Sequence, residues 1–231
     1  MDKEIVLSLN NVSYRYSDAA KDEYVLKNIN YEFEKGKTYA IKGKSGSGKT
    51  TLLSLISGLE KKYNGEIFYK DKKLSKMNLD KYRSCNVGIV FQSYNLLPHL
   101  TALENIILSM DISKVKAHNK KKLAMDLMEQ VNLSKNLANR RILKLSGGEQ
   151  QRIAIARSLS YNPEIILADE PTGNLDHETE NEKLKIINDL AHKQNKCVII
   201  VTHSKNVCDL VDKVYELKKE KWEEWYKWKK K

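Results

Sequence analysis

The stretch Thr38-Tyr39-Ala40-Ile41-Lys42-Gly43-Lys44-Ser45-Gly46-Ser47-Gly48-Lys49-Thr50-Thr51-Leu52-Leu53 decides the reading of the chain. Residues 38–41 form a short apolar run of the kind found in a buried strand. Residues 43–50 follow with the spacing G-x-x-x-x-G-K-[ST], and helical apolar spacing continues from 51 to 59, ending near Gly58. Glycines let successive backbone N–H groups converge into an anion-binding nest, and the helix start beyond them adds partial positive charge. Lys49 then reaches terminal phosphates and the Thr50 hydroxyl serves Mg²⁺. The residues expected at a bound nucleotide are therefore Gly43, Lys44, Ser45, Gly46, Ser47, Gly48, Lys49, Thr50 and Thr51. The competing reading is a Gly/Ser turn that fits by chance; the strand–loop–helix setting argues against it.

A second stretch complements the first. Ile165-Ile166-Leu167-Ala168 is a buried-type strand that ends in two adjacent carboxylates, Asp169 and Glu170. Ligands of open α/β sheets bind at that edge. Asp169 is expected to hold Mg²⁺ through a water, and Glu170 to orient and deprotonate an attacking water. An ordinary acidic turn before Pro171 is the alternative.

Working outward, 6–9 with 12–14, 24–33, 65–69, 87–91, 198–201 and 214–217 read as further strands, and 178–191 as a helix. Several of these strands are apolar without alternation, and helical stretches separate them, which argues an α/β fold with a parallel sheet covered on both faces. From Leu103 to about Leu159 the periodicity is mostly helical, and no Gly/Ser/Pro-rich boundary flanks it, so it reads as an inserted subdomain. Six of the ten glycines fall at three places, 43–48, 147–148 and 173, where backbone must come close to something.

Leu145-Ser146-Gly147-Gly148-Glu149, followed by Gln150-Gln151-Arg152 and the helix-like Ile153-Ala154-Ile155-Ala156-Arg157, resembles the signature motif of ATP-binding cassette (ABC) ATPases. The family's other motifs follow in order. Gln92, after the strand ending at Phe91, is similar to the Q-loop glutamine; Asn174-Leu175-Asp176 to the D-loop; His203 to the switch histidine; and Tyr16 to the aromatic residue that stacks on adenine. Tyr14, two residues earlier, is the alternative for that role. The resemblance runs from about residue 5 to about residue 217.

The resemblance implies a P-loop NTPase (RecA-like) core with a small antiparallel β-subdomain and an inserted α-helical subdomain. The single ABC domain would span 1–217, with core and β-subdomain at about 1–95 and 162–217 and helical subdomain at about 96–161. ATP and Mg²⁺ are the implied ligands, with Thr50, Gln92 and Asp169 at the metal and Glu170, His203 and Gln92 as catalytic residues. Ser146, Gly147 and Gly148 would serve the ATP of a second copy, making a head-to-tail homodimer around two ATP. Gln151 and Arg152 would either brace this segment or lie on a solvated face. Residues 91–105 look like the groove for a permease helix. Residues 171–176 are similar to the branch of macrolide, lipoprotein and antimicrobial-peptide exporters, which also holds a cell-division pair.

Three features depart from the family pattern. Ser204 follows the switch histidine where an acid is usual, Lys218-Lys219-Glu220 stands where a Gly-containing hairpin is expected, and 140–144 lacks a common proline.

Charge and composition bound what remains. The chain has 231 residues and a formal net charge of +11, with only six arginines among 41 cations. It has no apolar run long enough for a membrane span, and its start, Met1-Asp2-Lys3-Glu4, reads as no signal peptide. Cys85, Cys197 and Cys208 form no CxxC, which fits free thiols in a reducing compartment. Positive charge admits nucleic acid or an anionic membrane. One cassette, with no heptad run and no paired-Cys zinc pattern, disfavours a nucleic-acid-linked relative, and the scarcity of Arg disfavours phosphate-reading grooves. The expected setting is peripheral, on the cytoplasmic face of the membrane beside a separate transmembrane permease, with no nucleic acid; a cell-division-type regulator is the alternative. Residues 218–231, which hold all three tryptophans and +4 of the charge, read either as a short interfacial helix or as a solvated basic end.

Overall fold

The computed structural model describes residues 3–17, 23–171 and 177–218, with only the backbone over 177–183. The D-loop residues Asn174, Leu175 and Asp176 and the tryptophan-rich end lie outside the described residues.

Strand β1 (Ile5–Tyr14) is one ten-residue strand that includes Asn10 and Asn11. Its register shifts between Leu9 and Val12 against β2 (Leu26–Glu34), and Asn11 has φ 51. Asparagine tolerates that left-handed bulge position. β3 (Thr38–Lys42) leads through the glycine-rich loop into α1 (Lys49–Ile56). β4 (Asn64–Tyr69) and β5 (Lys72–Lys73) complete an antiparallel sheet of order β2-β1-β4-β5.

α2 (Leu79–Cys85), capped by the Asn78 side chain, is a helix the apolar pattern did not announce. β6 (Val87–Val90) follows, then the helices α3 (Ala102–Ile112), α4 (Lys120–Gln130) and α5 (Gly147–Leu159). A capping box between Thr101 and Glu104 starts α3. β7 (Ile165–Asp169), α6 (His177–His192), β8 (Cys197–Thr202), α7 (Lys205–Leu210) and β9 (Lys213–Glu216) end the described chain. The second sheet has order β6-β7-β8-β3-β9, and its strands are parallel.

The parallel strands are buried on both faces, which is why they do not alternate. From β7 and β8, Ile166, Ala168, Val198 and Ile200 enter a core shared with α3, α4, α5 and α6. Ile165, Leu167, Cys197, Ile199 and Val201 enter the opposite core, shared with α1 and the antiparallel sheet. Tyr215 of β9 joins the two sheets: its ring stacks on Tyr31 at 4.0 Å, and its hydroxyl donates to Glu32 O at 2.7 Å.

The register places the chemistry. Lys42 pairs with Thr202, and Asp169 pairs with Val201. The C-terminal ends of β3, β7 and β8 are therefore level, and the loop from Gly43, the pair Asp169–Glu170 and His203 emerge side by side.

Gly65 marks the tightest backbone approach in the antiparallel sheet. Its φ is +87, and a Cβ there would lie 2.3 Å from Asn11 O. Gly65→Ala is expected to destabilise the fold by more than about 2 kcal/mol. Urea unfolding checks this through a lowered midpoint; an unchanged midpoint contradicts the account of the bulge.

Candidate active site

At the level strand ends lies an open cleft of about 700 Å³, lined by Tyr16, Val25, Ser45, Gly46, Gly48, Lys49, Thr50, Thr51, Gln92, Asp169, Glu170 and His203. Gly46 has φ +74 and no atom within 4 Å of where a Cβ would stand, so the loop offers bare backbone and space for a ligand. Gly48 has φ +91, and a Cβ there would meet Val25 and Leu26 side chains at 2.9 Å. α1 thus begins against the wall formed by Val25. Sequence reasoning took Val25 as a strand residue only; it borders the cleft because Gly48 admits it so closely.

Lys49 Nζ donates to the carbonyls of Gly43 at 2.9 Å and Lys44 at 3.2 Å, and lies 3.9 Å from Glu170 Oε1. Gly43 and Lys44 are not among the lining residues of the cleft, and their carbonyls hold the Lys49 ammonium. The Ser47 side chain does not face the cleft either. It is buried, its Oγ has no partner among the described residues, and it fills the space where a Gly43 Cβ would lie. The Ser47 side chain thus shapes the loop from within, and its N–H donates to Lys44 O at 3.1 Å.

Thr50 Oγ1 donates to Asp169 Oδ2 at 3.2 Å. Burial pushes the Asp169 carboxyl above its ordinary value and the Glu170 charge adds to this, while the Thr50 hydrogen bond and Lys49 oppose it. Two oxygen donors side by side, one of them a desolvated carboxylate, suit a hard divalent cation. Glu170 sits at φ 46, a left-handed conformation that costs a non-glycine residue about 1–3 kcal/mol. Its N–H continues the ladder to Val201 O at 3.0 Å. Oε1 accepts from His203 Nδ1 at 2.8 Å, and Oε2 accepts from the His203 backbone N–H at 3.3 Å. With the carboxylate as acceptor, Nδ1 carries the proton and Nε2 is left for a ligand. Ser204, where an acid is usual, caps α7 by accepting from Val207 N.

Tyr16, not Tyr14, is on the cleft wall; its hydroxyl pairs with Thr51 Oγ1 at 3.1 Å. Tyr14 is buried beneath it.

Leu145, Ser146, Gly147, Gly148 and Glu149 are not among the lining residues of this cleft. Leu145 is buried, whereas Ser146 and Gly147 are exposed at the start of α5. Ser146 and Glu149 close a capping box. The Ser146 hydroxyl accepts from Glu149 N, which leaves its own proton free to donate. The N–H groups of Gly147 and Gly148 begin the helix and have no carbonyl one turn earlier within it. No atom lies within 4 Å of a Cβ built on either glycine.

The family model of the ABC transporter matches residues 26–173. The chain belongs to the ABC transporter family. As an ABC ATP-binding cassette it is an ATP hydrolase. It is 44% identical over 207 residues to the uncharacterized ABC transporter ATP-binding protein YclH of Bacillus subtilis, covering 90% of this chain and 91% of that one. It is 38% identical over 218 residues to the lipoprotein-releasing system ATP-binding protein LolD of Francisella tularensis, covering 93% and 94%. Among solved structures, the dimeric post-hydrolysis state of the cassette MJ0796 bound to ADP and Pi superposes with TM-score 0.85 at 37% identity, covering 93% and 97%. MJ0796 is a protein of Methanocaldococcus jannaschii.

The cassette also carries ties that its motifs did not announce. Tyr94 and Asn95, just after Gln92, have φ 60 and 47. Arg157 of α5 donates to both of their carbonyls, at 2.7 Å for Tyr94 O. Gln151, expected as a brace, is buried and donates to Pro171 O, next to Glu170. Arg152 donates to Asn132 O at 3.3 Å. The helix that opens with the signature is thus bonded both to the loop after Gln92 and to the end of β7.

The raised Asp169 carboxyl has a stability consequence. A carboxyl held above its unfolded value binds its proton more tightly in the folded state. Its charged form therefore costs stability at neutral pH, and that cost disappears as pH falls below the unfolded value of about 4. Nucleotide-free Asp169→Asn is expected to melt above the wild type at pH 7, with the difference closing by about pH 4. Melting below the wild type at pH 7 contradicts this.

Proposed function

We propose that two copies of this cassette enclose two ATP molecules, each between the cleft of one copy and the signature segment of the other, and that the closure drives a separate membrane permease. The observation that carries this reading is the separation of two complementary half-sites on one chain. The cleft supplies the phosphate loop, Lys49, Asp169, Glu170 and His203. The open start of α5 supplies a free hydroxyl proton and unpaired N–H groups elsewhere on the surface. The dimeric, ADP- and Pi-bound state of MJ0796, a similar cassette, supports it.

In this reading, backbone N–H groups at Gly46 and Gly48 and the start of α1 take the β-phosphate region, and Lys49 bridges toward the terminal phosphate. Thr50, Asp169 and Gln92 would hold Mg²⁺, which supplies charge neutralisation for the phosphate oxygens. Glu170 accepts a proton from the attacking water, its left-handed backbone fixing where the carboxylate points. His203 keeps Glu170 oriented through Nδ1, and with Nε2 also protonated its ring would donate to the terminal phosphate.

The permease reading rests on 91–105 and on the relatives. Asn105 is buried, and its amide holds Leu97 N, Leu97 O and Thr101 O, which sets the shape of the segment. Leu97 itself is exposed. A rigid loop with an apolar tip, tied through Arg157 to the signature helix, can pass closure to a partner. Among the described residues no helix is long and apolar enough to cross a membrane. Similarity to the lipoprotein-releasing system ATP-binding protein LolD supports a partner permease that exports peptide, lipoprotein or hydrophobic compound, with the cassette peripheral on the cytoplasmic face.

Glu170→Gln keeps the cleft and removes the base. Hydrolysis should fall by about 10²-fold or more while ATP binding persists, so MgATP should trap a dimer by size exclusion. Wild-type hydrolysis in this variant contradicts the role of Glu170; a monomer under saturating MgATP contradicts the enclosed-ATP reading.

A further inference from the structure

Tyr16 borders the cleft with about half of its surface exposed, so packing alone does not fix its ring. Two contacts fix it instead, one of them to a ring that is itself held. Its hydroxyl meets Thr51 Oγ1 at 3.1 Å, within the first turn of α1. Its ring meets that of Tyr14 edge to face, with centroids 5.2 Å apart and planes at 86°. Tyr14 is 8% exposed, and its hydroxyl donates to Glu60 Oε2 at 3.3 Å.

Glu60 is itself immobilised. Oε1 accepts from the backbone N–H groups of Lys61 at 2.7 Å and Lys62 at 2.9 Å. These bonds, that to Lys62 N foremost, hold its carboxyl below the ordinary value, so it remains a charged acceptor for Tyr14. The turn that carries Glu60 is continuous with α1: Leu59 N and Glu60 N both donate to Ser54 O. One helix therefore grips the tyrosine pair at both ends, through Thr51 at its start and Glu60 just past its end. The start of the same helix forms the phosphate site.

We propose that Glu60 and Tyr14 are positioning residues for the nucleotide base, setting the tilt of Tyr16 and locking it in register with the phosphate loop. This rests on the reading of Tyr16 as the surface that meets the base. An aromatic platform held at a fixed distance from a phosphate cradle selects a ligand carrying both a flat base and a phosphate chain. Without the buried pair, Tyr16 keeps its ring but loses its set angle, and stacking weakens while the phosphate contacts stand. The contribution belongs to binding rather than chemistry, since neither residue lines the cleft near Glu170 or His203.

The test compares Tyr14→Leu, Tyr14→Phe, Glu60→Gln and Tyr16→Ala in the full chain. KM and kcat are measured with MgATP, and affinity is measured for inorganic triphosphate, which has the phosphates and no base. Tyr14→Leu and Glu60→Gln should raise KM for ATP, by about 3–10-fold for Tyr14→Leu, with kcat within about twofold. Tyr14→Phe, which keeps the ring and loses the bond to Glu60, should give a smaller rise. Affinity for inorganic triphosphate should be unchanged in all four. If Tyr16→Ala raises KM while Tyr14→Leu and Glu60→Gln leave it at the wild-type value, the positioning role is wrong and the role of Tyr16 stands. If ATP and triphosphate weaken together in Tyr14→Leu, the residue supports the phosphate loop and the inference is overturned. If Tyr16→Ala leaves KM unchanged, the parent reading of Tyr16 fails and the inference fails with it.

Discussion

Asp169 pairs with Val201 and Lys42 pairs with Thr202, and this register of three parallel strands is the constraint on which the cleft depends. It brings the phosphate loop, the two carboxylates and His203 to one edge with no further adjustment. A slip of one residue in β7 would turn Asp169 to the opposite face and carry Glu170 away from His203. Both faces of these strands are buried under separate cores, so such a slip would also exchange the side chains that each core receives. The apolar packing that stabilises the sheet is therefore the same packing that aligns the phosphate loop, Asp169, Glu170 and His203. The strained backbone of Glu170 is tolerable because its N–H still joins the ladder to β8.

In the proposed dimer the cleft and the signature segment would meet one ATP from two sides, by the same physical means. Each offers backbone N–H groups at a helix start, opened by glycine. In the cleft, the glycines let α1 begin close against Val25 while Gly46 faces open space. At α5, two successive glycines have open space where a Cβ would stand. The capping box there consumes the N–H groups of Ser146 and Glu149 and leaves those of Gly147 and Gly148 for a ligand. Bonds from Arg157 to Tyr94 and Asn95, and from Gln151 to Pro171, mean that anything that moves α5 also acts on the loop after Gln92 and on the end of β7.

Much of this was legible in the sequence, for a definite reason. The residues of the phosphate loop act through backbone and local geometry, so their spacing along the chain is their spacing in space. Strands β3, β7 and β8 were visible as unalternated apolar runs for the same reason: each is buried on both faces. What could not be read depended on distant partners. Arg157 contacts carbonyls 62 and 63 residues away, and a carbonyl leaves no mark in a sequence. Ser47 sits within the motif yet turns inward, because Gly43 leaves the space its side chain fills. Helices α2 and α7 have seven and six residues, too short for a periodic signal, although their caps Asn78 and Ser204 stood in plain sight. Tyr14 and Tyr16 share a spacing and a face; only the tertiary structure separates the buried one from the one on the cleft.

The central claim is that each ATP lies between two chains, and complementation between two inactive variants tests it most directly. Lys49→Ala disables the cleft and leaves the signature intact; Ser146→Arg blocks the signature and leaves the cleft intact. Neither should hydrolyse ATP alone. In an equal mixture, half of the dimers pair one chain of each kind, and each of these contains one intact site and one doubly disabled site. Hydrolysis should then return, to at most about a quarter of the wild-type rate per chain. A mixture as inactive as its two components would contradict the shared site and place the whole of catalysis within a single chain.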